Sequence, residues 1–286
     1  MSKTYRSQLV GCFGDPVDEN PTGVMEEAAF AAAGVDFRYL TMRVEAGKLG
    51  DAFAGIRAMN FRGINLTIPH KVEGLKYMDS LSRAAQIIGA VNMVVIEDGK
   101  TFGENTDGRG YLMSLEQAGI DIRGKNLTVL GAGGAARAIC VESALAGAAK
   151  VTVINRSEER GEELAALIRE KTDAEAVYLP WTAGMAVPAD TDILANATSI
   201  GLFPNVDQKP EIDYDSVTKD MVVTDVIFND PNSLFLQESA KRGAKTIDGL
   251  GMLINQGALN FKLWTGVDPS YEVMRAVLMK EFGLDG

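Results

Sequence analysis

Leu127-Thr128-Val129-Leu130-Gly131-Ala132-Gly133-Gly134-Ala135-Ala136-Arg137-Ala138 decides the fold of this chain. A short apolar run reads as a buried strand, and the alanine-rich stretch after the glycines reads as a helix. Gly131 allows a tight turn between them, and Gly133 lets a pyrophosphate approach the backbone. The helix N-terminus supplies free N–H groups and the positive end of the helix dipole. The pattern is G-x-G-G-x-A, with Ala136 at the third position, and not the full G-x-G-x-x-G. An ordinary glycine-rich turn is the competing reading. The strand-turn-helix context favours a dinucleotide site.

The next strand, Lys150 to Ile154, selects the dinucleotide. An NAD site places an acidic residue at its end to hold the ribose hydroxyls. Here the strand runs into Asn155-Arg156-Ser157, with Arg160 one turn later. Two guanidinium groups and a hydroxyl suit a 2′-phosphate, so NADP is expected over NAD, which stays possible. The alternative is that Arg156 and Arg160 pair with Glu158, Glu159 or Glu163 on a solvated helix.

Outward from this turn, strands and helices alternate. Ser157 to Lys171 is expected as a helix with acids in its first turn, and Ile193–Ala197 and Val222–Val226 as strands. That order is the signature of a parallel sheet covered on both faces. In the first half, Gln8–Phe13, Phe37–Met42 and Gly63–Ile68 read as strands. Met25–Ala33 and Lys48–Met59 read as helices, the first stopped by Gly34. Asp98-Gly99 closes a hairpin of Ala90–Glu97 and Lys100–Gly103. Gly110–Ala118 is a helix expected to link the halves. The fold class is α/β: an N-terminal α/β domain plus a Rossmann-like domain with a parallel sheet.

At 286 residues, 46% apolar and 23% charged, the chain has room for two globular domains. A net charge of −11 argues against nucleic acid or an anionic membrane as partner, but not against a small anion held at a local basic site. The start, MSKTYRSQLV, lacks a long apolar stretch, and no run reaches the length of a membrane span. A cytoplasmic protein is expected, as monomer or homodimer. Cys12 and Cys140 sit in apolar contexts and read as buried free thiols. With His70 the one histidine, no metal site is expected. The 30 glycines gather around 103–110, 131–134 and 249–257.

The first half carries Asn65-Leu66-Thr67-Ile68-Pro69-His70-Lys71, Gly89-Ala90-Val91-Asn92 and Glu104-Asn105-Thr106-Asp107-Gly108-Arg109-Gly110. Lys71, Asn92 and Asp107 lie at the ends of apolar segments, where α/β proteins build sites. Singly, each has a plain reading as a solvated or turn residue. Beside a nicotinamide they make joint sense. Hydride transfer to a carbonyl needs a proton donor for the developing alkoxide, and a lysine ammonium held by an aspartate supplies one. His70 is the alternative acid, though a histidine beside a proline reads more readily as structural.

These segments, with GAGGAARA, Asn155-Arg156-Ser157, Asn196-Ala197-Thr198-Ser199-Ile200-Gly201 and Asp248-Gly249-Leu250-Gly251-Met252-Leu253-Ile254-Asn255-Gln256, resemble the shikimate dehydrogenase family, in family order and over nearly the whole chain. The resemblance implies a substrate-binding domain over 1–108, an NADP-binding domain over 109–250, and C-terminal helices over 251–286 that return to the first domain. It implies reversible reduction of a cyclic 3-dehydro acid in a cleft between the domains. By position, Lys71 and Asp107 match the catalytic pair. Asn20, Thr22, Asn65, Thr67, Asn92 and Gln256 match substrate ligands. Gly131, Ala132, Gly133, Gly134, Ala135, Asn155, Arg156, Ser157, Arg160, Thr198, Phe228, Gly251 and Met252 match the cofactor side.

Two departures bear on substrate. Where the family has a Ser-x-Ser-Pro type segment to grip a carboxylate, this chain has Asn20-Pro21-Thr22-Gly23, preceded by Asp18 and Glu19. Phe228 stands where the family commonly has tyrosine. One polar recognition group lost or gained is worth about 1–3 kcal/mol, enough to shift substrate preference without touching the hydride chemistry. Three readings follow: an NADP-dependent dehydrogenase of shikimate or quinate, the same chemistry on another cyclic polyol or amino-substituted analogue, and a nucleotide-binding module without catalysis.

Overall fold

The computed structural model describes residues 5–284. The chain divides into two compact units, one formed by residues 1–106 with 256–286 and the other by Asp107–Asn255.

The first unit is built on a six-stranded mixed sheet. In chain order its elements are β1 (Gln8–Gly14), α1 (Thr22–Ala33), β2 (Phe37–Arg43), α2 (Leu49–Ala58), β3 (Gly63–Leu66), α3 (His70–Glu73), β4 (Ser80–Leu81), α4 (Arg83–Ile88), β5 (Met93–Glu97) and β6 (Lys100–Glu104). The sheet order is β2-β1-β3-β5-β6-β4. β1 runs parallel to both neighbours, and the β5–β6 hairpin turns the sheet antiparallel. Asp98 and Gly99 both take positive φ at its turn, 50° and 76°, the geometry that matches strand twist. Gly34 ends α1 in the left-handed region. Phe13, Phe53, Ile56, Ile64, Leu66 and Val94 form the core on one face.

In the second unit, α5 (Asp107–Gln117) is followed by β7 (Asn126–Leu130), α6 (Gly134–Leu145), β8 (Lys150–Asn155), α7 (Glu158–Lys171), β9 (Glu175–Pro180), β10 (Met185–Ala186), β11 (Ile193–Asn196), β12 (Ile212–Asp213), β13 (Val222–Asp225), α8 (Leu234–Lys241) and β14 (Lys245–Ile247). Its six-stranded sheet is parallel throughout, in the order β14-β13-β11-β7-β8-β9. Both faces are covered. Val129, Val151, Val153, Ile193 and Ala195 pack to one side, and Leu130, Ile154, Leu194 and Val223 to the other. This explains why the strands read as continuous apolar runs. The chain closes with α9 (Leu250–Thr265) and α10 (Tyr271–Glu281).

Two helix starts differ from the sequence reading. The expected helix at Gly110 begins instead at Asp107, and the whole of α5 belongs to the second unit, where it packs on α6. α6 begins at Gly134 and not Gly131, because Gly131 has φ 109° and Gly133 is extended. Among the described residues, no helix is long and apolar enough to cross a membrane.

Candidate active site

In the first unit, the polar residues at the strand ends are joined by side-chain hydrogen bonds. Asn65, last but one in β3, accepts from the Tyr39 hydroxyl at 2.9 Å and donates to the Asn92 carbonyl at 3.1 Å. Asn92 donates to Thr106 Oγ1 at 3.0 Å and accepts from the Thr106 N–H at 2.8 Å. Thr106 Oγ1 donates to Asn260 Oδ1 at 2.8 Å, and Asn260 donates to Gln256 Oε1 at 3.1 Å. All these side chains are buried. Buried amides bonded at both ends have one orientation, so Asn65, Asn92 and Gln256 are held by one continuous chain of contacts.

A second branch reaches the N-terminus of α1. Asn20 Oδ1 accepts from the Thr22 N–H at 3.0 Å, while its Nδ2 approaches Cys12 Sγ at 3.8 Å. Cys12 also bonds to Tyr39; burial pushes its thiol up to about 12, against the opposing pull of the Lys71 ammonium. Burial, with smaller contributions from Cys12 and Glu26, also holds the Tyr39 hydroxyl well above its ordinary range. Thr22 is buried, whereas Asp18 and Glu19 are exposed. Four residues beyond Thr22, Glu26 is fully buried with neither carboxyl oxygen bonded, and burial drives its pKa well above the ordinary carboxylate range.

Lys71 lies in α3, half-buried, its carbonyl fixed by the Val91 N–H at 2.8 Å. The turn before it is held by the His70 N–H to the Thr67 carbonyl at 2.8 Å. Gly14 has no room for a side chain here: a Cβ would come within 2.4 Å of Thr67 Cγ2. His70 is buried with Nε2 2.6 Å from the Val44 carbonyl, a structural bond.

In the second unit, Gly131 is required twice over, by its φ of 109° and by the Thr198 and Ala197 atoms 3.0 to 3.1 Å from where a Cβ would stand. Its N–H donates to Ile154 at 2.8 Å. A Cβ at Gly133 or Gly134 would meet no protein atom within 4 Å, and no side chain caps α6. That open cradle at an uncapped helix N-terminus fits a pyrophosphate. Ala132 and Ala135 line the same turn, half-buried.

At the end of β8, Asn155 Nδ2 donates to the Ser157 carbonyl at 2.9 Å, and Ser157 caps α7 by accepting from the Arg160 N–H. Arg156 and Arg160 are exposed, and Glu163 pairs with Arg137 at 2.9 Å. Exposed guanidiniums beside a cap hydroxyl are a donor set that fits a 2′-phosphate.

Sequence reasoning missed the groups behind these positions. Thr198 Oγ1 donates to Asn196 at 2.7 Å, and Asn196 donates to buried Asp225 at 3.0 Å, which also accepts from Ser233 at 2.6 Å. Burial raises Asp225 to about 6, against its hydrogen bonds. Asp248 caps α9 through the Leu250 and Gly251 N–H groups, fixing the segment that carries Gly251 and Met252. Phe228 is half-buried, and its preceding residue lies over Gly249, where a Cβ would stand 2.5 Å from the Ile227 carbonyl.

A doubly covered parallel sheet with a glycine cradle and a cationic strand end is the framework of a nicotinamide dinucleotide-dependent oxidoreductase. Residues 12–94 match the shikimate dehydrogenase substrate binding domain, 114–206 match shikimate/quinate 5-dehydrogenase, and 249–279 match the shikimate 5′-dehydrogenase C-terminal domain. A shikimate dehydrogenase (NADP(+)) of Desulforamulus reducens is 40% identical over 96% of each chain. Among solved structures, the ligand-free 5-ketofructose reductase of Gluconobacter sp. strain CHM43 is 46% identical with a TM-score of 0.94, over 97% of this chain and 100% of that one. A shikimate dehydrogenase in complex with NADP+ is 40% identical with a TM-score of 0.89, over 96% of each. The chain belongs to the shikimate dehydrogenase family, and it is an NADP-dependent oxidoreductase.

Proposed function

We propose that the chain interconverts shikimate and 3-dehydroshikimate, moving hydride reversibly between NADP and the ring carbon that bears the hydroxyl or carbonyl, with residues 1–108 and 251–286 binding substrate and 109–250 binding cofactor. Identity of 40% over nearly full length to shikimate dehydrogenase (NADP(+)) supports the substrate. The observation that carries the site is the hydrogen-bonded chain from Asn65 through Asn92 and Thr106 to Gln256. Bound NADPH supplies the hydride. Lys71 donates the proton to the developing alkoxide and stabilises its charge, and Asp107 is the second catalytic residue. Asn65, Thr67, Asn92 and Gln256 bind ring hydroxyls; Asn20 and Thr22 bind the substituent end. Gly131 to Ala135 hold the pyrophosphate, Asn155, Arg156, Ser157 and Arg160 the 2′-phosphate, and Thr198, Phe228, Gly251 and Met252 lie on the nicotinamide side. A cytoplasmic location and a monomeric or homodimeric state belong to the same proposal.

A second reading, an uncharged polyol ketone as substrate, has specific support. Asn20 has no hydroxyl and its side-chain oxygen already accepts from the Thr22 N–H, so the pair offers a carboxylate one hydroxyl where two serines offer two. The 46% identical structure is a reductase of a neutral ketosugar. Comparing kcat/KM for shikimate, quinate and cyclic polyols with NADP, and for 5-ketofructose with NADPH, separates them. Shikimate is expected to be oxidised. No oxidation at millimolar shikimate, with ketosugar reduced, transfers the assignment to the second reading.

A further inference from the structure

Trp181 stands directly after β9, beside the end of β8 where Asn155 pairs with Pro180. It is held at two points. Its backbone N–H donates to the Asn155 carbonyl at 3.1 Å, and its indole Nε1 donates to the Glu211 carbonyl at 3.1 Å. Glu211 leads into β12, which pairs with β10, and the indole packs partly on the core beneath that ribbon. Nearby, Tyr178 sits so tightly on Gly161 of α7 that a Cβ there would come within 2.3 Å of its ring. The aromatic side of this strand end is therefore rigid.

Over the fixed indole lies the Arg156 guanidinium, its Cζ 5.7 Å from the ring centroid. That is cation–π range. Arg156 is otherwise an exposed side chain with four rotatable bonds, and a ligand binding it free would have to order it. The indole does this ordering in advance. The guanidinium is held over the indole face. Its exposed N–H groups remain available to a phosphate.

We propose that Trp181 is a positioning residue for cofactor selection: it pre-orients Arg156, and so raises preference for the 2′-phosphorylated dinucleotide over the unphosphorylated one. The proposal rests on Arg156 being a 2′-phosphate ligand. Its energetic signature is selective, because NAD has no 2′-phosphate to gain from a pre-oriented guanidinium.

Calorimetric titration of NADP and of NAD onto the wild type, Trp181→Ala, Trp181→Phe, Arg156→Leu and the Arg156→Leu/Trp181→Ala double variant tests this. Trp181→Ala is expected to weaken NADP roughly fivefold, the scale of an exposed cation–π contact, and NAD less than twofold. KM for NADP follows, with kcat at saturating NADP within about twofold. Trp181→Phe, which keeps an aromatic face, recovers most of the loss, and in the Arg156→Leu background removing Trp181 adds nothing further. Equal weakening of both cofactors, no recovery by phenylalanine, or a full effect without Arg156 overturns the proposal. The NADP-to-NAD ratio is read within each variant, so partial loss of folded protein cancels. If Arg156→Leu alone leaves NADP affinity at the wild-type value, the 2′-phosphate reading itself fails.

Discussion

The two units solve the same problem in opposite ways. In the first, the groups we propose for the substrate are buried amides and hydroxyls that hold one another, from Tyr39 through Asn65, Asn92 and Thr106 to Gln256. In the second, they are backbone N–H groups on a bare glycine turn and exposed guanidiniums at a strand end. A small ring with hydroxyls on several sides needs donors and acceptors fixed in direction. A long dinucleotide needs close approach and charge, which a helix end and arginines supply with little side-chain scaffolding. Recognition in the first unit is therefore brittle, and in the second it is graded.

The largest effect expected on this contrast is at Lys71. Lys71→Ala should lower kcat by about 10²–10⁴, while NADPH affinity by fluorescence titration stays within about threefold. Wild-type turnover in that variant would remove the assignment of the proton donor. Gly131→Ala comes next. With φ at 109° and neighbours at 3.0 Å, it should cost about 1–3 kcal/mol in a denaturant melt and weaken NADP about tenfold; ring-substrate KM should hold.

Thr106→Val breaks two links of the buried chain while keeping its volume. It should destabilise by about 1–3 kcal/mol and raise substrate KM several-fold with NADP KM unmoved. Equal changes in both KM values would show that the chain does not confine its influence to the ring substrate.

The smallest effect is a pH dependence at Asp225. Its carboxyl binds a proton more tightly folded, at about 6, than unfolded, at 3.8. The resulting stability is full below about pH 4 and is lost as pH rises through 6. Thermal melts from pH 4 to 7 should show that decline, to which buried Glu26 adds in the same direction, and Asp225→Asn should make the slope shallower by about 1–3 kcal/mol over the range without abolishing it.

What the sequence made legible was local. The strand-glycine-helix turn, the Gly34 cap, the Asp98-Gly99 hairpin and the buried thiols all follow from neighbours a few residues apart. Tyr39, Asn260 and Trp181 were not legible, because each acts through a partner far along the chain: Tyr39 on Asn65, Asn260 on Thr106, Trp181 beside Arg156. Glu26 carried a faint signal as an acid on an apolar helix face, but only the structure shows that it is fully buried and that burial raises its pKa. β9 and β14 escaped notice because their exposed positions interrupt the apolar pattern that marks the inner strands.

Trp264 has a bearing on how the protein is made. Its indole donates to the Val94 carbonyl at 3.0 Å and fills the space that Gly63 leaves by lacking a side chain, and Phe261 stacks on Phe30 at 5.2 Å. The earliest strands thus wait for one of the last helices. During synthesis, Asp107–Asn255 emerges with all its own strands and can fold at once, while the segment made first stays open until α9 leaves the ribosome. A nascent chain exposed outside the ribosome only as far as residue 255 would carry a finished second unit behind an unfinished first one, an inversion of the order in which the two were translated.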